Sequence, residues 1–66
     1  MWHIRIKTWR WEELAPILKY EGITGYQVVS TLNSETVIKT TWNELKTINR
    51  LAKAMHHTMA YENRAA

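Results

Sequence analysis

The stretch Thr41–Tyr61 constrains the fold more than any other part of the chain. It reads Thr-Trp-Asn-Glu-Leu-Lys-Thr-Ile-Asn-Arg-Leu-Ala-Lys-Ala-Met-His-His-Thr-Met-Ala-Tyr. Thr41 followed three residues later by Glu44 is a capping box: the hydroxyl accepts the Glu44 backbone N–H, and the carboxylate reaches back to the Thr41 N–H. Leu45, Ile48, Ala52, Met55 and Met59 then recur at i, i+3, i+7, i+10 and i+14, one narrow stripe at about 100° per residue. No Gly or Pro interrupts the run, and Ala, Leu, Lys, Arg and Met favour helix. The pattern predicts a long amphipathic helix whose apolar side something else has to cover.

The rest of the chain supplies a cover. From Trp2 to Thr8, Trp2, Ile4 and Ile6 alternate with His3, Arg5 and Lys7, the period of a half-buried strand. Trp11, Leu14 and Leu18, joined by Ile17, change the period to helical. A short helix is expected to start near Trp11 to Glu13, with Glu12 and Glu13 favouring its N-terminus. Pro16 then sits close to the first turn, where its missing N–H has no partner anyway, and Gly22 stops the helix. Gly25–Leu32 and Glu35–Thr40 have strand composition, with Asn33-Ser34 as a tight turn between them, so they read as an antiparallel hairpin. Its register stays open. A two-residue turn sets Val29 opposite Ile38, whereas a three-residue loop puts Val28, Leu32 and Ile38 on one face.

Strand, helix, strand, strand, helix describes an α+β domain of βαββα order. The simplest compact solution is a three-stranded sheet with both helices, one short and one long and C-terminal, packed on one face. The first strand is expected parallel to the second, because a helix separates them. Residues 1–66 form one domain, with 62–66 as a frayed C-terminal tail. A chain of 66 residues buries only about 60% of the surface its unfolded form exposes. Without cysteine, neither a disulfide nor a thiolate metal site can staple it, and pairing into a homodimer is one route to more burial.

Composition excludes more than it assigns. Nine Lys and Arg against six Asp and Glu give a net charge of +3, which suits an acidic partner or a phosphate backbone. No apolar run is long enough to cross a bilayer, and Arg5 and Lys7 break up any signal peptide. A cytoplasmic location without a membrane partner is expected, and the lack of cysteine agrees with it. His56 and His57 are adjacent and diverge on a helix, whereas metal-binding helices space their ligands i, i+4; no metal is expected. There is no Gly-rich phosphate loop, no cysteine nucleophile and no G-x-S-x-G, and the neighbours Glu12 and Glu13 cannot act as a carboxylate pair. We expect neither enzymatic activity nor a cofactor.

Three features are candidates for binding. If Trp2, Ile4 and Ile6 face the helices, Arg5 and Lys7 face outward with His3, and Trp9 joins them if the strand runs that far. Cations beside an aromatic can hold phosphates and stack a base, and Trp and Arg also anchor protein interfaces. The same alternation is equally the plain wet side of a strand, with charges guarding an edge. On the long helix, Lys46, Arg50, Lys53 and His57 recur at i, i+4, i+7 and i+11, with Trp42 one turn before Lys46. Such a one-signed ridge can track an acidic surface, and it is also what any exposed helix shows to water. Among four Trp, Trp11 begins the core stripe with Leu14 and Leu18, which leaves Trp9 and Trp42 partly exposed.

Together these features point to a small non-enzymatic interaction module. It is expected to dock on an acidic surface of a larger protein or nucleoprotein complex, one that handles nucleic acid, and to inhibit or block it. The residues that carry the contact would be Arg5, Lys7, Trp9, Arg10, Trp42, Lys46, Arg50 and Lys53. Size, absence of cysteine, aromatic richness and mild basicity resemble, in kind, the small accessory proteins of phages and other mobile elements, which often act by sticking to a host machine. Direct DNA or RNA binding by the same groups is the alternative, and a structural homodimer without a ligand is a third.

Overall fold

The computed structural model describes residues 1–64 and has the element order β1 (Trp2–Lys7), α1 (Thr8–Tyr20), β2 (Tyr26–Thr31), β3 (Glu35–Thr40), α2 (Trp42–Ala54) and β4 (Ala60–Asn63). The sheet therefore has four strands rather than the expected three, in the order β2-β3-β1-β4. Every neighbouring pair is antiparallel. β1 and β2 do run in the same direction, as a helical crossover requires, but β3 lies between them. The chain is thus two βαβ units, β1–α1–β2 and β3–α2–β4, interleaved so that each central strand belongs to a different unit: the split-βαβ, ferredoxin-like arrangement.

Residues expected to extend α2 and then fray form the fourth strand. The helix stops at Ala54 because His56 takes φ 59°, a left-handed conformation found mostly in glycine but also visited by His. The His57 N–H bonds the Ala52 carbonyl at 2.8 Å and the His56 N–H that of Lys53 at 3.0 Å, which is a Schellman closure. Met55 and Met59 still pack on the core, although only Met55 adjoins the helix. The chain then returns along β1, pairing Ala60 with Arg5 and Asn63 with Trp2, and the Arg64 N–H bonds the Met1 carbonyl. Of the expected 62–66 tail, 65 and 66 lie outside the described residues.

α1 begins at Thr8, earlier than the Trp11 to Glu13 expected, so Pro16 falls well inside the helix and not in its first turn. An interior Pro leaves the Glu12 carbonyl without its usual donor and costs about 3 kcal/mol. Burial of Trp11, Leu14 and Leu18 on the same helix outweighs that cost, each side chain contributing about 2 kcal/mol. α1 ends in its own Schellman closure, with Gly22 at φ 73° and the Ile23 N–H on the Leu18 carbonyl.

In the β2–β3 hairpin the turn is the two-residue one, with the Leu32 N–H bonding the Glu35 carbonyl across Asn33-Ser34. A bulge at Val29 then shifts the register, so that Val28 and not Val29 lies opposite Ile38. The extra residue lets a tight turn coexist with Val28 on the inner face, while Leu32 is turned outward and 64% exposed.

The core joins Ile4 and Ile6 of β1, Ile38 of β3, Trp11, Leu14 and Leu18 of α1, and Leu45, Ile48 and Ala52 of α2. Three of the buried polar residues are threonines, with His57 the fourth. Thr8 donates its hydroxyl to the Leu32 carbonyl and lies 2.9 Å from the Thr36 hydroxyl; Thr40 donates to the Gly25 carbonyl. The chain passes close to the Glu44 side chain at Gly25, where a Cβ would come within 2.6 Å of Glu44 Cγ and push that side chain aside.

Candidate functional site

The strand register decides what each sheet face carries. Ile4, Ile6, Thr36, Ile38 and Thr40 are buried on the helix-covered side, so their alternates face away from the helices. That open face is built on His3, Arg5 and Lys7 of β1, Val37 and Lys39 of β3, and Glu62 of β4, with His3 opposite both Lys39 and Glu62. Arg5 and Lys7 are exposed and make no ion pair or side-chain hydrogen bond among the described residues. Glu62 is held by Arg64 through hydrogen bonds of 2.7 and 2.9 Å. Those bonds, followed by the Arg64 charge, keep its carboxyl below the usual carboxylate range. No Trp or Tyr lies on the β1, β3 or β4 part of this face, because Trp9 is on α1 and not on a prolonged β1.

The aromatic groups collect on the helix side and at its corners. Trp42 opens α2 and packs on Trp2 with ring centroids 4.6 Å apart, and Trp2 in turn meets Tyr61 at 5.9 Å. Trp42 and Tyr61 remain 44% and 43% exposed. Trp11 is buried against Tyr26. Trp9 is 53% exposed, yet both of its polar neighbours are engaged. The Arg10 guanidinium lies 5.2 Å from its ring centre, and His57 meets it edge-on at 5.5 Å.

Arg10 is accordingly part of the fold rather than a free cation: its Nη1 donates to both the carbonyl and the hydroxyl of Thr58. His57 leaves the expected ridge altogether. It lies past the end of α2, buried, with Nε2 3.5 Å from Glu13 Oε2, while His56 is the exposed one.

The α2 ridge also divides. Trp42, Lys46, Asn49 and Lys53 are spaced 4, 3 and 4 apart and share one flank. Asn49 and Lys53 there line a shallow depression with Thr58, Met59 and Tyr61. Arg50 lies on the other side, beside Glu21, Thr47 and Leu51. Thr58 and Met59 also border a second depression, lined by Arg5, Lys7, Arg10 and Glu35. The short strand β4 therefore has Trp42, Lys46 and Lys53 on one side and Arg5 and Lys7 on the other. Of the eight residues expected to carry a contact, these five gather there; Trp9 and Arg10 form a separate corner, and Arg50 is turned away. Tyr61 belongs to the same flank and was missed, because sequence periodicity extends α2 through it.

Among the described residues no helix is long and apolar enough to cross a membrane. Comparison with protein-family models, with curated proteins and with solved structures found no match to the chain.

Proposed function

We propose that the chain is a non-enzymatic interaction module that docks the β4 flank onto an acidic surface of a larger protein complex. The observation that carries this reading is the exposure of Trp42 and Tyr61 between cations without an ion pair among the described residues, Lys46 and Lys53 on one side and Arg5 and Lys7 on the other. Half-exposed aromatics held rigid by a neighbour supply affinity at little entropic cost, and the surrounding charge sets approach and orientation. Within a complex that handles nucleic acid, an acidic site is the surface this charge fits, since the phosphate-binding groove is itself basic and would repel a module of net charge +3. The open sheet face supports direct stacking of bases poorly, because its central strands offer cations with only one small ring, that of His3.

Affinity capture from a nuclease-treated lysate of the source cell tests the reading. Wild type and Arg50→Glu are expected to recover the same partner, and the Lys46→Glu, Lys53→Glu double variant to lose it. Recovery that is indifferent to Lys46 and Lys53 overturns the assignment. A gel shift on duplex or single-stranded DNA or RNA at low salt, weakening with a log–log slope of about −0.9 per phosphate contacted, would replace the protein partner by nucleic acid.

A further inference from the structure

The rim opposite β4 is β2, and it is guarded differently. β4 is four residues long and carries Glu62, paired with Arg64 just beyond the strand, the shortness and charge that normally keep an edge from pairing. β2, Tyr-Gln-Val-Val-Ser-Thr, has no charge and no proline, and Val28 is 43% exposed on its helix-side face. Beside it runs an apolar groove of about 560 Å³ between Ala15 and Pro16 of α1 and Ile23, Thr24 and Tyr26. Glu12 and Lys19 border the groove, seven residues apart on α1. Neither makes an ion pair or a side-chain hydrogen bond among the described residues.

We propose that a second copy of this chain closes the groove about a twofold axis. Isologous contacts require a surface complementary to itself under twofold rotation, and opposite charges at the two borders of the groove, Glu12 and Lys19, meet that requirement in charge. An axis normal to the sheet at the level of Tyr26 sets the two α1 helices antiparallel. Glu12 of each copy then meets Lys19 of the other, and each Val28 lies over the Ile23 end of the opposite groove. The Val29 bulge falls beyond this contact, so the groove and not an extended strand ladder supplies it. An unrelated extended peptide would need its own charges at both ends in matching order, whereas a second copy brings them in the reversed order that the groove demands. The contact is on the far side of the sheet from the β4 flank and does not depend on the partner proposed there.

Sedimentation velocity or light scattering on the purified chain is the test. The expected mass is twice 7.8 kDa at high concentration, falling to one chain on dilution. Val28→Lys is expected to give a monomer with unchanged circular dichroism. Glu12→Lys and Lys19→Glu each turn two attractive pairs into repulsive ones and should weaken the dimer about tenfold or more. Combining them restores both pairs with exchanged signs and should recover the wild-type constant. A chain that stays monomeric at millimolar concentration overturns the proposal. So does a dimer that ignores Val28→Lys, or one that the double exchange fails to restore. Lys46→Glu, Lys53→Glu should leave the dimer intact, which separates a failure here from a failure of the β4-flank reading.

Discussion

The Thr8 and Thr36 hydroxyls lie 2.9 Å apart where β1 passes into α1, and both residues are buried. The same Thr8 also bonds the Leu32 carbonyl through its side chain and the Ser34 carbonyl through its backbone. One residue thus ties the start of α1 to the hairpin turn. Thr8→Val takes the donor from the Leu32 carbonyl and the acceptor from the buried Thr36 hydroxyl, and should cost about 2 kcal/mol. Thr36→Val should cost about 1 kcal/mol by the same reasoning. The double variant should lose less than the sum, by about 0.5 kcal/mol or more. Urea unfolding of the four proteins checks this, and strict additivity would refute the shared bond.

The two helix ends differ in one respect that can be measured. Both close with the same Schellman bonds, yet Gly22 occupies the left-handed position of α1 and His56 that of α2. His56→Gly relieves a side chain that is disfavoured there and should stabilise by about 0.5–1 kcal/mol. Gly22→Ala should destabilise by about 1 kcal/mol. Thermal unfolding should therefore move in opposite directions for the two changes.

Pro16 offers the larger gain. Pro16→Ala restores the bond from residue 16 to the Glu12 carbonyl while freeing the unfolded chain slightly. The net effect should be about 2 kcal/mol in favour of the fold, read as a higher denaturation midpoint at constant slope. A lower midpoint would mean that the ring fills the α1 groove better than it harms the helix.

Removal of residues 60–66 tests whether β4 belongs to the fold. The truncated chain loses the Tyr61 contact with Trp2 and the pairing of Trp2 to Arg5 along one side of β1. It should be weaker by at least about 2 kcal/mol. Unchanged stability would return this segment to the status of a tail.

How far residues announce their structure depends on whether the cause is local. The α2 start was readable because Thr41 acts on Glu44, and the hydroxyl does accept the Glu44 N–H. The carboxylate lies instead against Gly25, a tertiary contact that local spacing cannot reveal. Gly22 announced the end of α1, whereas His56 in the same conformation concealed the end of α2, and the stripe continuing to Met59 carried the expected helix into β4. Pro16 was misplaced for a similar reason. Thr8, a weak helix former, starts α1 because the hairpin turn holds it there. The exposed cations Arg5, Lys7, Lys46 and Lys53 followed from period alone. Their convergence around β4, the diversion of Arg10 to Thr58 and the turning of Arg50 toward Glu21 required the chain to be folded.

The Met1 ammonium lies 3.3 Å from Asn63 Oδ1, so the beginning and end of the described chain stand side by side. β1 takes a central place in the sheet, but its second neighbour arrives only after nearly every other residue has been laid down. Pairing β4 with β1 joins segments separated by nearly all of the described residues, and slow formation is the kinetic signature of such non-local topology. A short glycine-serine bridge across this gap would make that closure permanent, yielding a circle that could be reopened at Asn33-Ser34 with its sheet order unchanged.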